Sequence, residues 1–279
     1  SPRVLKSKKL IVPKIYKAPP IEITGSSEFE VHVLVSSRDF SAMLWGLYSF
    51  YSYAPSDISL VVHDDGSLNK NHRKQLEAVF PGSTLIYRSE SDMKIEKEFS
   101  SFPRLKKYRK AHATHIKVID FFVFSSKSNI LFFDSDIIFF RRPDRMIKQE
   151  TQENLFIQDM GTSYVLSPEE IASDFQITVP PKINTGFGRV NKNCFDVKFL
   201  DFCLAHEKLG RGLFTSEQTL VAMMAARKGG VETVGGEYQM DRKLGVEGRV
   251  VKHYVNIMRD LLYTEGIPWV YENILKNKE

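Results

Sequence analysis

Asp134 and Asp136 stand one residue apart in residues 130–143, which read Ile-Leu-Phe-Phe-Asp-Ser-Asp-Ile-Ile-Phe-Phe-Arg-Arg-Pro. A run this rich in β-branched and aromatic side chains is a buried strand by composition and length. Desolvating a carboxylate costs far more than burying a methyl group, and two carboxylates together repel unless a cation neutralises them. A strand end that opens into a site and holds a divalent cation through hard oxygen ligands answers both problems. The competing reading is an ion pair at a sheet edge, with Arg141 or Arg142 as partner.

Other residues could complete such a site. His253 sits in an apolar run and precedes Tyr254; neutral imidazole is a good ligand for manganese-class metals, although a core histidine bonded to backbone has the same sequence. Arg259, six residues on, could clamp a phosphate or simply be solvated. Arg109 and Lys117 are eight apart in what reads as the helix before the Asp134 strand, so they could share a face toward the site; surface exposure is the alternative. Asn184-Thr185-Gly186 puts an amide beside a glycine, which suits close approach of backbone to a ligand and equally suits a turn. Glu217-Gln218 falls in the first turn of a helix, where the dipole alone favours glutamate.

The elements that must position these residues alternate. Residues 31–35 read as a strand running into the polar turn Ser36-Ser37-Arg38-Asp39, and Phe40, Met43, Leu44, Leu47, Phe50 and Tyr51 follow as a helix with one apolar face. Residues 58–62 form a second strand, ended by His63-Asp64-Asp65-Gly66-Ser67. Residues 71–80 form a short helix closed by Pro81-Gly82. Residues 84–87 give a third strand, and 111–124 a long apolar helix before the Asp134 strand. Further strands are expected at 155–158, 182–190 and 250–254. A helix from Thr215 through Arg227 is expected, with Gln218 at the capping-box position. The β-α-β-α-β order predicts an α/β fold with a doubly wound, mostly parallel, Rossmann-like sheet flanked by helices. Ligands in such sheets sit beyond the carboxyl ends of the strands. Asp39, Asp64, Asp65, Asp134 and Asp136 all fall there, which argues for one common site.

Composition limits the remaining possibilities. The 279 residues carry 26% charged and 42% hydrophobic side chains, so disordered and fibrous classes are excluded. No stretch approaches the roughly 20 apolar residues of a membrane span, and there is no secretory signal. Two cysteines, Cys194 and Cys203, are too few for a disulfide framework or an all-cysteine zinc site, and a reducing cytosol is the expected setting. The net charge of +5 derives partly from residues 6–17. Residues 1–27 are therefore expected as a flexible basic extension and 28–279 as one domain. The extension offers a contact for acidic lipid at the membrane periphery. Nothing interleaves aromatics and arginines as single-strand nucleic-acid binding requires. Nucleic acid is not an expected partner.

Asp134-Ser135-Asp136, Asn184-Thr185-Gly186, Glu217-Gln218 and His253-Tyr254 occur in this order. The ordered set resembles the GT-A glycosyltransferases, especially the glycogenin-like retaining family and its bacterial relatives, over roughly residues 31–269. The resemblance implies a hexosyltransferase that moves a sugar from a nucleotide-sugar, a UDP-sugar by preference, to a hydroxyl acceptor (saccharide, lipid-linked or small molecule). It implies Asp134, Asp136 and His253 as ligands of manganese or magnesium, with Ser135 beside them and Arg259 on the diphosphate. Asn184 and Gly186 would line the sugar pocket. Glu217-Gln218 would lie under the anomeric carbon, where the family often has aspartate-glutamine. Ser36, Arg38 and Asp39 match the loop around base and ribose, and Asp64-Asp65 matches a motif of inverting GT-A enzymes that contacts uracil. Two other classes compete: a haloacid-dehalogenase-like phosphohydrolase using Asp134 and Asp136, and a non-catalytic polyanion-binding module built on the basic extension.

Overall fold

The computed structural model describes residues 1–148, 154–238 and 240–278. Among these residues the nine strands are β1 Phe29–Val35, β2 Ser59–Asp64, β3 Thr84–Ile86, β4 Asn129–Phe133, β5 Ile137–Phe139, β6 Asn154–Gln158, β7 Ile183–Asn191, β8 Val231–Val234 and β9 Val251–His253. Seven form one sheet in the order β3-β2-β1-β4-β7-β6-β8, and β5 and β9 form a separate antiparallel pair. The β1–β2, β2–β3, β1–β4 and β6–β8 pairs are parallel. β7 runs antiparallel to both of its neighbours. The sheet is thus mostly parallel, with one reversed strand beside β4. The order turns at β1 and β4, and the carboxyl ends of these strands make the crevice where ligands bind in open α/β sheets.

Helices cover both faces. The longer ones are α1 Pro2–Leu10, α2 Phe40–Tyr51, α3 Lys70–Val79, α4 Arg88–Glu98, α5 Pro103–Ala111 and α6 Ile116–Phe124. They continue with α7 Asp144–Ile147, α8 Pro168–Phe175, α9 Val197–Cys203, α10 Glu207–Gly210 and α11 Ser216–Arg227, then the single turns α12 Arg259–Leu261 and α13 Ile267–Val270. One core packs α2, α3 and the chain's two ends against the sheet; the other packs α4, α5, α6, α8, α9 and α11 against the opposite face. Both cysteines are buried and free. Among the described residues no helix is long and apolar enough to cross a membrane.

Three elements differ from the sequence expectation. α2 is buried on all sides rather than one, because β5 and the N-terminal segment pack against it. Gly46 permits this close packing: a Cβ there would lie 2.6 Å from Ile137 O. The expected long helix over 111–124 is split, with α5 ending at Ala111, a 3-10 turn over Ala113–His115, and α6 starting at Ile116. The third difference is the basic extension, which is not a loose tail. Val4, Val12, Ile15, Ala18 and Ile23 are buried in the first core, and the Trp45 indole donates to Val12 O at 3.0 Å. Lys6, Lys8, Lys9 and Lys17 are exposed and so are Leu5 and Leu10, but the five buried apolar side chains anchor the segment, so charge alone misstated its packing.

Candidate functional site

β4 delivers Asp134 and Asp136 at its carboxyl end, where the chain turns into β5. Asp134 is part-buried and Asp136 is 8% exposed. β5 pairs with β9 so that Ile137 lies opposite His253, and Tyr254 N donates to Asp136 O at 2.9 Å. This short ladder brings His253 Nε2 to 3.1 Å from Asp136 Oδ1 and 3.7 Å from Asp134 Oδ2. The three residues offer ligand atoms within 4.8 Å of one another.

The imidazole is held in a form suited to a metal. Asn184 Nδ2 donates to Asp159 Oδ2 at 2.9 Å, which fixes the amide and leaves Asn184 Oδ1 as an acceptor. That oxygen receives Gly186 N at 2.8 Å and His253 Nδ1 at 3.1 Å. Nδ1 therefore carries a proton, and Nε2 faces the carboxylates. Gly186 is required here, since a Cβ would lie 2.3 Å from the His253 ring and 2.6 Å from Asn184 Oδ1. Two carboxylates and one imidazole form a donor set that fits manganese or magnesium. Without a cation, burial disfavours charge on both members of the closest pair, but their mutual attraction outweighs it. His253 is raised by Asp136, and Asp136 is lowered by His253 and then Arg259.

β7 brings Asn184, Thr185 and Gly186 next to the carboxylates through a bulge. Phe156 pairs with Gly188 but Ile157 pairs with Asn184, so Thr185, Gly186 and Phe187 are pushed out of register. Asp134 N donates to Gly186 O at 2.8 Å across this point. Thr185 then bridges to α11: its N–H donates to Gln218 Oε1 at 3.2 Å and its hydroxyl to Glu217 Oε2 at 3.1 Å. Gln218 Nε2 donates to Ser163 O. The expected capping box does not form. Thr215 has helical backbone angles (φ −74°, ψ −12°) and caps no amide with its side chain, and Gln218 is turned toward Thr185 rather than back to the Thr215 amide.

Lys117 reaches the site from α6, 6% exposed, with Nζ 2.9 Å from Asp134 Oδ1 and 3.5 Å from Glu217 Oε1. Burial disfavours its charge, but Asp134 and Glu217 outweigh this and raise it. Burial pushes Glu217 up to about 7, and Lys117 offsets only part of the rise. Glu217 Oε1 has no hydrogen bond among the described residues. At 3.5 Å, Lys117 supplies it with charge but no bond.

The remaining sequence candidates fall in three places. Ser36, Arg38, Asp39 and Arg259 adjoin the carboxylates: Asp39 binds Arg259 Nη2 at 2.6 Å, Arg38 Nη2 at 3.1 Å and the Ser36 hydroxyl at 3.3 Å. Ser135 is half-buried between the two aspartates. Asp64 holds its own loop, with Oδ1 accepting from Gly66 N and Leu68 N and Oδ2 from Arg88 N. Asp65 is part-exposed and binds Ser67. Arg109 does not face the site. It is buried in a bidentate pair with Asp120 at 2.6 and 2.8 Å and also binds Asp92 and Ser91, joining α4, α5 and α6. The break between α5 and α6 removes the shared face that would have set it beside Lys117. The sheet-edge alternative for the aspartates also fails. Arg141 pairs with Glu237 and backbone, and Arg142 with Asp144.

Lys117, Asp134, Asn184, Thr185, Gly186, Glu217, Gln218 and His253 line one cleft of about 660 Å³. Asp159 belongs to this site and was not singled out from the sequence, and Thr185 was named there only as the middle of its motif. Asp159 directly follows β6 and is followed closely by Gly161, the strand-end signal that marked Asp64.

No family model matches the sequence, and no curated protein is similar to it. Solved structures do share its fold. Mouse xyloside xylosyltransferase 1 superposes with a TM-score of 0.54 at 12% identity, covering 84% of this chain and 98% of that one. The galactosyltransferase LgtC, solved with donor and acceptor sugar analogs, gives 0.53 at 12% identity over 82% and 88%. Core-mannan synthase A of Aspergillus fumigatus, in a Mn/GDP form, gives 0.51 at 9% identity over 93% and 88%. At these identities the likeness establishes the architecture: the chain has the GT-A fold of glycosyltransferases.

Proposed function

We propose that this protein is a metal-dependent glycosyltransferase that moves a hexose from a nucleotide-sugar to a hydroxyl acceptor. UDP-sugar is the preferred donor class, and manganese or magnesium the cation. The observation that carries this reading is the Asp134, Asp136 and His253 donor set within 4.8 Å at the edge of the cleft. The fold supports it, as do solved relatives whose names include Mn, GDP and sugar analogs.

Held by these three residues, the cation would neutralise charge on the departing diphosphate. The chain's own groups do the rest. Asn184 fixes the His253 tautomer, and Asp159 fixes Asn184. Lys117 holds Asp134 in an ion pair at 2.9 Å. Arg259 adds positive charge beside Asp136, where a phosphate is to be bound. Glu217 and Gln218, tied to Thr185, face the sugar. We assign retention as the outcome: the acceptor hydroxyl attacks from the face the diphosphate leaves, and the diphosphate takes its proton. Such a route needs no dedicated protein base, in keeping with a cleft in which Asp134 serves the cation, Glu217 faces Lys117 and Asp159 holds Asn184.

Calorimetric titration with UDP, with and without manganese, tests the proposal. Binding should require the metal and disappear in Asp136→Ala; metal-independent binding, or unchanged binding in that variant, overturns it. His253→Ala should weaken manganese affinity by roughly 10- to 100-fold, the scale seen when supporting groups of a metal site are lost.

A further inference from the structure

The cleft has two chemically distinct parts. Its buried lining is mostly polar: Lys117, Asp159, Asn184, Glu217, Gln218 and His253 are each less than 9% exposed. Toward solvent the lining turns apolar. Phe214 is 63% exposed and Ile257 76%, joined by Met160 and Val255, with Met240 and Met258 packed behind. Scattered exposed apolar residues are normal on any surface, but these converge on one cavity that also holds the reacting groups. They come from four separate chain segments, so no single hydrophobic loop accounts for them. The segment after β9 is also shaped locally, with Asn256 in the left-handed region at φ 54° directly before Ile257.

We infer that the acceptor is a hydroxyl compound carrying an apolar aglycone, alkyl or aryl, which lies against Phe214, Ile257 and the methionines while its hydroxyl reaches the polar floor. This rests on the glycosyltransferase reading and specifies its second substrate. A free saccharide presents hydroxyls around its whole ring, whereas among the described residues the exposed part of the lining offers the side chains of Ser163, Arg242 and Asn256 as polar partners. Methionine and phenylalanine suit an apolar group of variable shape, because the thioether repacks and the ring supplies a flat face. Wall and floor share one cavity, so the apolar part and the hydroxyl belong to one molecule.

The test uses methyl, butyl, hexyl and octyl β-glucosides below their micellar concentrations, with the full chain, manganese and UDP present. Saturation-transfer NMR reads binding and which protons touch the protein. A fully covered methylene is worth about a fourfold change in affinity. With partial cover at an open mouth, Kd should fall roughly 10- to 100-fold from methyl to octyl, with transfer strongest on the alkyl chain. Phe214→Ser combined with Ile257→Ser should flatten this dependence; both side chains are exposed, and a thermal melt confirms folding. Affinity independent of chain length in the wild type, or a chain-length dependence that survives in the double variant, overturns the inference. Metal-dependent UDP binding is measured in the same samples. Its absence sinks the glycosyltransferase reading and this inference with it; its presence beside flat chain-length behaviour sinks the acceptor assignment alone.

Discussion

Glu217 and Asp134 share one ammonium group, that of Lys117, and the sharing is unequal. Asp134 takes the shorter contact and Glu217 the longer, which leaves a buried carboxyl with incomplete compensation. Its pKa near 7 follows from that geometry, with burial the larger cause. The folded value stands above the ordinary 4.5, so the protonated form favours folding. The contribution is complete below pH 4.5 and is lost as pH rises through about 7. In metal-free protein, wild type should therefore lose about 1–3 kcal/mol relative to Glu217→Gln between pH 5 and pH 8. Urea unfolding of both proteins with a chelator, at four pH values, measures this difference. A difference that does not change with pH would place Glu217 in an ordinary solvated setting. The aspartate pair and the glutamate were all visible in the sequence as residues able to do chemistry. Their coupling was not, because a Lys117 that faces the site and one that lies on the surface have the same sequence.

At the scale of elements, the site depends on two departures from regular pairing. The β7 bulge displaces Thr185 to Phe187, and the β5–β9 ladder sets His253 beside Asp136. The ladder is only three residues long, so it needs support from behind, and α2 supplies it. Phe139 N donates to the Ser49 hydroxyl at 3.0 Å, and Gly46 lets the helix backbone approach Ile137. Gly46→Ala should cost about 1–3 kcal/mol by overpacking. It should also weaken manganese binding, because the clash falls on the residue between Asp136 and the rest of β5. Thermal unfolding and manganese titration of the same variant check both effects, and a stability loss with wild-type manganese affinity would show that α2 holds the fold without positioning the proposed metal ligands. Most strand positions were legible because β-branched runs and glycine turns are local signals, whereas β8 was not expected from the sequence. The bulge was not, since it is defined by what the neighbouring strand pairs with.

At the scale of the whole molecule, residues 1–27 close one face of the protein. Ile15 is fully buried and Val12 holds Trp45 through its carbonyl. Ile15→Ala should cost about 2–4 kcal/mol, as expected for an interior aliphatic side chain; no measurable loss in a denaturant titration would return the segment to the status of an appendage. Sequence alone determined the α/β alternation, the acidic strand ends and the ordered motif set, because strand periodicity and residue chemistry act over short stretches. It also supplied the glycosyltransferase resemblance, and the fold agrees with it. Only the tertiary structure decided that His253 meets Asp136, that Lys117 enters the cleft, that Arg109 is part of the scaffold, and that the basic N-terminus is packed. Each of these depends on contacts between residues far apart in the chain. Their geometry is set by register, helix breaks and the shape of the core, none of which a local pattern encodes.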